Sequence, residues 1–190
     1  MLSKRGKTSY LVGVDEAGRG PLAGPVAVGV LMADKKHLHF LRGIKDSKKL
    51  SEKAREAWFF KIEKLSKKNI FRWSVTLVSE KVIDKKGIVF AIRKGIYASL
   101  SLLKVGENTE ILLDGALKAP ALYKYQKTII RGDEKKTIIA AASILAKVRR
   151  DRHMKKLSKK HPDYAFEKNK GYGTKEHYRR IKKHGLSKIH

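Results

Sequence analysis

Five short apolar runs rich in β-forming residues punctuate the sequence, at 10–15, 24–33, 71–79, 110–114 and 127–131. The segments between them carry helical periodicity or clusters of glycine and proline. The first two runs flank a glycine- and proline-rich turn, which predicts a hairpin. Ser51 is a suitable N-cap for a helix reaching Lys68, with Ala54, Ala57, Trp58, Ile62 and Leu65 on one face. A short helix after Ser79 and a longer one over about 87–104 precede the fourth run. Gly132 and Asp133 open a long helix over about 134–160, apolar and buried from Ile138 to Val148 and basic beyond, and a last helix covers about 174–184. Such alternation reads as an α/β fold.

The 190 residues are 42% apolar, which supplies one core for a chain of this length. A single domain over 1–190 is expected, with a basic N-terminal tail at 1–9 and a basic helical region at 149–190. No run of about 18 apolar residues exists to span a bilayer, and no signal-peptide pattern opens the chain. The expectation is a cytoplasmic protein without a membrane partner. Absence of cysteine excludes disulfides, thiolate zinc sites and a cysteine nucleophile. Any metal must therefore bind through oxygen or imidazole. His153, His161, His177 and His184 lack metal-ligand spacing and are expected at the surface.

Lys and Arg number 45 against 18 Asp and Glu, a formal charge of +27. That excess favours a polyanionic partner through counterion release and disfavours self-association, so a monomer is expected. Residues 149–190 hold 15 basic and 4 acidic residues, against 30 and 14 in 1–148. The C-terminal quarter is thus the expected polyanion-facing surface.

In so basic a chain the carboxylates are the informative minority. Asp15 and Glu16 end the first apolar run, Asp114 ends the fourth, and Asp133 directly follows the fifth. Carboxyl ends of strands in an open α/β sheet line the crevice where ligands bind. Parallel neighbouring strands would bring Asp15 and Asp114 together, and such like charges need a neutralising cation. Oxygen ligation points to Mg²⁺ or Mn²⁺, and two such ions can clamp the attacking and leaving oxygens of a phosphodiester. Singly, each acid has a structural reading: strand-end turns for Asp15 and Asp114, a helix N-cap for Asp133, an exposed position for Glu16. Spacing alone reaches a metal-dependent, phosphate-handling site and stops there.

The turn Gly18-Arg19-Gly20-Pro21-Leu22-Ala23-Gly24-Pro25 offers backbone N–H groups to a phosphate or sugar hydroxyl. It is neither a Walker A loop nor a dinucleotide-binding turn, because no Gly-Lys-Ser/Thr follows and its prolines oppose a helix there. A plain hairpin turn remains the other reading.

Six segments resemble, in order, the motifs of the ribonuclease HII family of type 2 ribonucleases H. They are Val12-Gly-Val-Asp-Glu-Ala-Gly-Arg-Gly-Pro-Leu-Ala-Gly-Pro25, Asp46-Ser-Lys-Lys-Leu50, Leu113-Asp-Gly115, Gly132-Asp133, Ala140-Ala-Ala-Ser-Ile-Leu-Ala-Lys-Val148 and Gly171-Tyr-Gly-Thr-Lys-Glu-His177. The resemblance implies an RNase H-like fold, a central five-stranded mixed sheet flanked by helices. It implies a metal-dependent endonuclease that cuts RNA in RNA/DNA hybrids and cuts 5′ to a lone ribonucleotide in duplex DNA, leaving a 3′-hydroxyl and a 5′-phosphate. Asp15, Glu16, Asp114 and Asp133 match the catalytic, metal-binding carboxylates of that family. Gly18, Arg19 and Gly20 match the motif that reads the ribonucleotide 2′-hydroxyl. Tyr172 matches the tyrosine that packs on the next deoxynucleotide's sugar, and Lys48, Ser143 and Lys147 match positions near the nucleic-acid backbone. The intact Gly-Arg-Gly sides with type HII over the related HIII, as do the nine or so residues before the first strand, which leave no room for HIII's additional N-terminal domain. Many relatives continue past the position of His190 into another segment, so the expectation is that either a C-terminal substrate-gripping element is missing here or the sequence is trimmed.

Two rival readings stand beside the enzyme. In one, a non-catalytic basic nucleic-acid-binding protein uses its carboxylates only for caps and charge balance. In the other, the nuclease fold acts on a different target, as in resolvases or integrases, although these need no 2′-hydroxyl reader. Hydrolysis separates the first rival from an enzyme; salt dependence does not.

Overall fold

The structure, a computed structural model, describes residues 9–190. All but Ser9 of the expected N-terminal tail lies outside them. In chain order the elements are β1 (Tyr10–Ala17), β2 (Val26–Asp34), α1 (Glu52–Lys67), β3 (Phe71–Val78), α2 (Glu80–Lys86), α3 (Ile88–Leu102), β4 (Glu110–Asp114), β5 (Gln126–Ile129), α4 (Gly132–Lys135), α5 (Thr137–Lys160), α6 (Phe166–Asn169) and α7 (Lys175–His184). Short 3₁₀ turns at Lys35–Leu41, Ser47–Lys49 and Pro162–Tyr164 link them.

The strands form one mixed sheet in the order β3-β2-β1-β4-β5. β1 pairs antiparallel with β2 and parallel with β4. β2 pairs antiparallel with β3, and β4 parallel with β5. β1, β2 and β4 lie between neighbours and are covered on both faces, so their apolar residues run on without polar alternation.

Alternate residues of β1 feed two cores. Val12 and Val14 join Val28, Val30, Ile111 and Leu113 beneath Ile92, Ile96 and Leu100 of α3. Leu11 joins Leu31 and Leu112 on the opposite face, beneath α1 and the apolar half of α5. That half of α5 sits very close to the sheet. A Cβ at Gly13 would lie 2.4 Å from the Ile138 carbonyl oxygen, and one at Gly29 would lie 2.3 Å from that of Ala142. Glycine in the strands and alanine in the helix let the two backbones approach. A third cluster of Ala23, Met154, Tyr164, Phe166 and Ile189 ties the basic C-terminal helices to the glycine-rich turn. Among the described residues no helix is long and apolar enough to cross a membrane.

Several expected details are corrected. The long helix after residue 133 is two helices, because Lys136 is extended at φ −132°, ψ 114° and serves as C-cap of α4 and N-cap of α5. The fifth strand ends at Ile129: Ile130 is exposed and Arg131 is left-handed at φ 54°. On α1 the buried face runs through Phe59 and Ile62 while Ala57 is exposed. The Phe59 ring meets Trp73 of β3 edge-on at 5.4 Å and lies 4.4 Å from the guanidinium carbon of Arg152, contacts that orient the helix.

Candidate active site

Register brings the first two carboxylates together. Val14 of β1 pairs with Leu113 of β4, so Asp15 and Asp114 stand one residue further along two parallel neighbours and share a face. That face is the one covered by α5. Asp133 arrives from α4, just beyond β5. Carboxylate oxygens of Asp15, Asp114 and Asp133 lie within 4.8 Å of one another. Glu16 has the opposite parity and sits outside this triad, yet it lines the same cavity as Asp15 and Asp114, of about 250 Å³.

Local chain geometry fixes each group. The Gly132 N–H donates to Asp114 Oδ1 at 2.6 Å, which locks the turn carrying Asp133 to the end of β4. The Glu16 N–H donates to Asp15 Oδ1 at 2.7 Å. Asp46 caps its 3₁₀ turn by accepting from the Lys48 N–H at 2.8 Å, and Lys48 Nζ then reaches Asp133 Oδ2 at 3.2 Å. From the same turn, Ser47 Oγ lies 2.8 Å from Ser143 Oγ of α5.

Burial and mutual repulsion of carboxylates set the electrostatics of Asp15 and Glu16. Burial, then the neighbouring Glu16 charge, hold the Asp15 carboxyl well above its ordinary value of 3.8, with Asp114 adding to the rise and a hydrogen bond from Ser143 opposing it. Glu16 is also raised, chiefly by burial and further by Asp114, against the pull of Arg19. Arg19 lies 3.6 Å from Glu16 Oε1, whereas Glu16 Oε2 is buried with no hydrogen-bond partner among the described residues. A buried, unpartnered carboxylate oxygen beside three converging carboxylates fits a divalent cation with oxygen ligands. For Lys48, burial works against protonation, but the Asp133 hydrogen bond and the surrounding carboxylates outweigh it and raise its pKa.

The same cavity is walled by Gly18, Arg19, Gly20, Lys48, Ser143, Lys147 and Tyr172. Every sequence-derived site residue but Asp133 therefore lines it, and Asp133 joins through Asp15, Asp114 and Lys48. Lys147 Nζ lies 2.9 Å from Asp151 Oδ1 and 5.2 Å from the Tyr172 ring centre.

Sequence reasoning missed Arg150. Fully buried in α5, it donates to the carbonyls of Pro25 at 2.8 Å, Lys170 at 2.9 Å and Ala23 at 3.2 Å. It thereby ties the glycine-rich turn to the segment bearing Tyr172, with no carboxylate bonded to it among the described residues. The motif run ended at Val148, and a further arginine in a basic stretch gave no signal of burial. His177 is a correction: the ring is fully buried, not at the surface. Its Nδ1 lies 2.9 Å from the Tyr172 carbonyl and its Nε2 lies 2.9 Å from His190 Nε2, so it works as an internal strut beneath Tyr172.

Comparison with known proteins is extensive. The sequence model described as ribonuclease HII matches residues 12–190. A ribonuclease HII of Caldicellulosiruptor bescii is 46% identical over 181 residues, which cover 95% of this chain and 84% of that protein. The crystal structure of ribonuclease H2 from Pyrococcus horikoshii superposes with a TM-score of 0.72 at 30% identity, covering 94% of this chain and 90% of that one. A ribonuclease HII of Archaeoglobus fulgidus, solved as its complex with PCNA, gives 0.71 at 29% identity, covering 92% and 87%.

Proposed function

The chain belongs to the ribonuclease HII family, and from that premise we propose that it is a metal-dependent endoribonuclease acting on RNA/DNA hybrids and on duplex DNA containing single ribonucleotides. It cuts the RNA strand, and 5′ to a lone ribonucleotide, leaving a 3′-hydroxyl and a 5′-phosphate. The observation that carries this reading is the convergence of Asp15, Asp114 and Asp133 beside the unpartnered oxygen of Glu16, in one cavity with Gly18, Gly20 and Tyr172.

The four carboxylates would hold Mg²⁺ or Mn²⁺, two ions in this reading, since their donors are all hard oxygens. When bound, such ions supply a nucleophilic water at neutral pH and charge stabilisation at the phosphodiester oxygens. The protein's own groups do the positioning. Backbone groups of Gly18 and Gly20 read the 2′-hydroxyl, the feature that distinguishes RNA from DNA at a site. The Tyr172 ring packs on the sugar of the next nucleotide, where a 2′-hydroxyl would fit poorly. Lys48, Ser143 and Lys147 hold the phosphates on either side. Oxygen from water forms the new bond to phosphorus, the bond to the upstream 3′-oxygen breaks, and that oxygen leaves with a proton as the 3′-hydroxyl. No protein nucleophile is needed.

The test is a panel of end-labelled duplexes: all DNA, all RNA, RNA/DNA hybrid, and DNA with one ribonucleotide. With Mg²⁺ or Mn²⁺ the last two are expected to be cut, the single-ribonucleotide duplex at one position 5′ to the ribose. Binding without cleavage under either ion would instead support the non-catalytic reading.

A further inference from the structure

Arg19 stands at the edge of the cavity holding the carboxylates. Arg19 also lines a second cavity of about 190 Å³, floored by Ile92 of α3 and Leu117 and rimmed by Arg93 and Lys118. Arg93 and Lys118 in turn line a third, of about 530 Å³, which runs to Thr128 of β5. Neighbouring cavities share lining residues, Arg19 between the first two and Arg93 and Lys118 between the second and third, so they line up as a trench from the carboxylates past Arg19 and α3 to β5. Its rim is cationic, its second cavity has an aliphatic floor, its third adds Gln126 and Thr128 to small apolar residues, and no acidic residue lines either among the described residues.

We infer that this trench is a track for the sugar–phosphate backbone of the nucleic acid, with Arg93 and Lys118 as its phosphate contacts. The inference rests on the substrate class proposed above and adds where that substrate runs. A cationic rim over a floor of aliphatic and uncharged polar groups matches a chain that alternates sugars and phosphates.

Both cations are exposed and neither is paired with a carboxylate among the described residues. Both are held on fixed elements. Ile92 and Ile96 seat α3 in the core. The loop bearing Lys118 is stapled by Gln126, whose side chain accepts from the Ala119 N–H at 2.8 Å and donates to the carbonyls of Ala119 at 3.2 Å and Tyr123 at 3.0 Å.

The C-terminal quarter, more basic by sequence, has part of its charge engaged internally. Arg152 pairs with Glu56, Lys155 with Glu52 and Arg180 with Glu176, while Arg150 is buried on backbone carbonyls. Charge density along the chain therefore points to one end of the molecule, and free, cavity-lining charge points to the α3 side as well.

The test compares the salt dependence of hybrid binding, measured in EDTA, for the intact protein and the double variant Arg93→Gln/Lys118→Gln. A control of equal charge change is Lys64→Gln/Lys67→Gln, exposed on α1 across the sheet from α3. Each lost phosphate contact lowers the log–log slope by about 0.9. The trench variant is expected to have a slope shallower by about 1.8, so that it loses about twelvefold less affinity than the intact protein between 50 and 200 mM salt. The control is expected to keep the intact slope. An unchanged slope for the trench variant, or an equal change in the control, overturns the inference. If the intact protein cuts none of the ribonucleotide-containing duplexes, the proposed activity fails, and the slopes still decide the trench on their own.

Discussion

The guanidinium of Arg150 occupies the space that a side chain at Gly18 would need: a Cβ there would lie 2.2 Å from Arg150 Nε. Gly18 also has φ +101°, a conformation that L side chains rarely adopt. Gly20, two residues on, has nothing among the described residues within 4 Å of where its Cβ would be. The fold itself therefore demands glycine at position 18 and does not at position 20.

Gly18→Ala is expected to lower stability by about 1–3 kcal/mol, through backbone strain and displacement of Arg150 from its carbonyls. Gly20→Ala is expected to keep stability within about 0.5 kcal/mol, yet to cut the single-ribonucleotide duplex at least tenfold more slowly. Denaturant titration and cleavage assays on both variants check this. Equal stability losses would show that the motif is a structural turn only.

The raised carboxylates make stability depend on pH and on metal. Asp15 and Glu16 bind protons more tightly folded than unfolded. Their contribution is therefore fully present below the ordinary carboxylate value and is lost as pH rises through their raised folded values. The metal-free protein should lose stability over that range. Asp15→Asn should be the more stable of the two without metal at neutral pH. Mn²⁺ at about 100 times its Kd should stabilise the intact protein by about 2.7 kcal/mol and the variant far less. Thermal melts with and without Mn²⁺ measure both effects, and a metal-free Asp15→Asn less stable than its parent would contradict the electrostatic reading.

Lys48 tests site chemistry with little structural burden. Its side chain is 78% exposed while its Nζ reaches the buried Asp133. An ion pair so open to solvent adds at most about 1 kcal/mol. Lys48→Met is expected to unfold within that margin of the parent and to lose tenfold or more in kcat/KM. Unimpaired cleavage would place Lys48 outside the site.

Much of the carboxylate site was legible because strand ends are. An apolar run that stops at a carboxylate fixes where a strand meets the crevice, which is why Asp15 and Asp114 could be paired across the intervening chain. Parity along β1 also separates Glu16 from the triad, a consequence available only once the neighbours of β1 were known. Less legible were features set by tertiary contact. The break at Lys136 has only a weak local signal, the β-branched Thr137, Ile138 and Ile139 that follow it, with no Pro or Gly to mark it. Phe59 shares the buried face of α1 with Ile62 at i+3, and Trp73 and Arg152, which meet it from distant parts of the chain, settle which face is buried. Arg150 and His177 look like surface residues in a basic tail; three carbonyls in one case, and a carbonyl and a second imidazole in the other, replace the water they give up.

The most direct measurement is paired binding and cleavage of a DNA duplex with one ribonucleotide by the intact protein and Asp15→Asn. It is made in Mg²⁺, in Mn²⁺ and in excess EDTA. The expected result is cleavage by the intact protein with either ion and none in EDTA, while Asp15→Asn binds the duplex and leaves it whole. Cleavage persisting in excess EDTA, or Asp15→Asn cutting at the parent's rate, would contradict the assignment of the carboxylate cluster as the site that cuts.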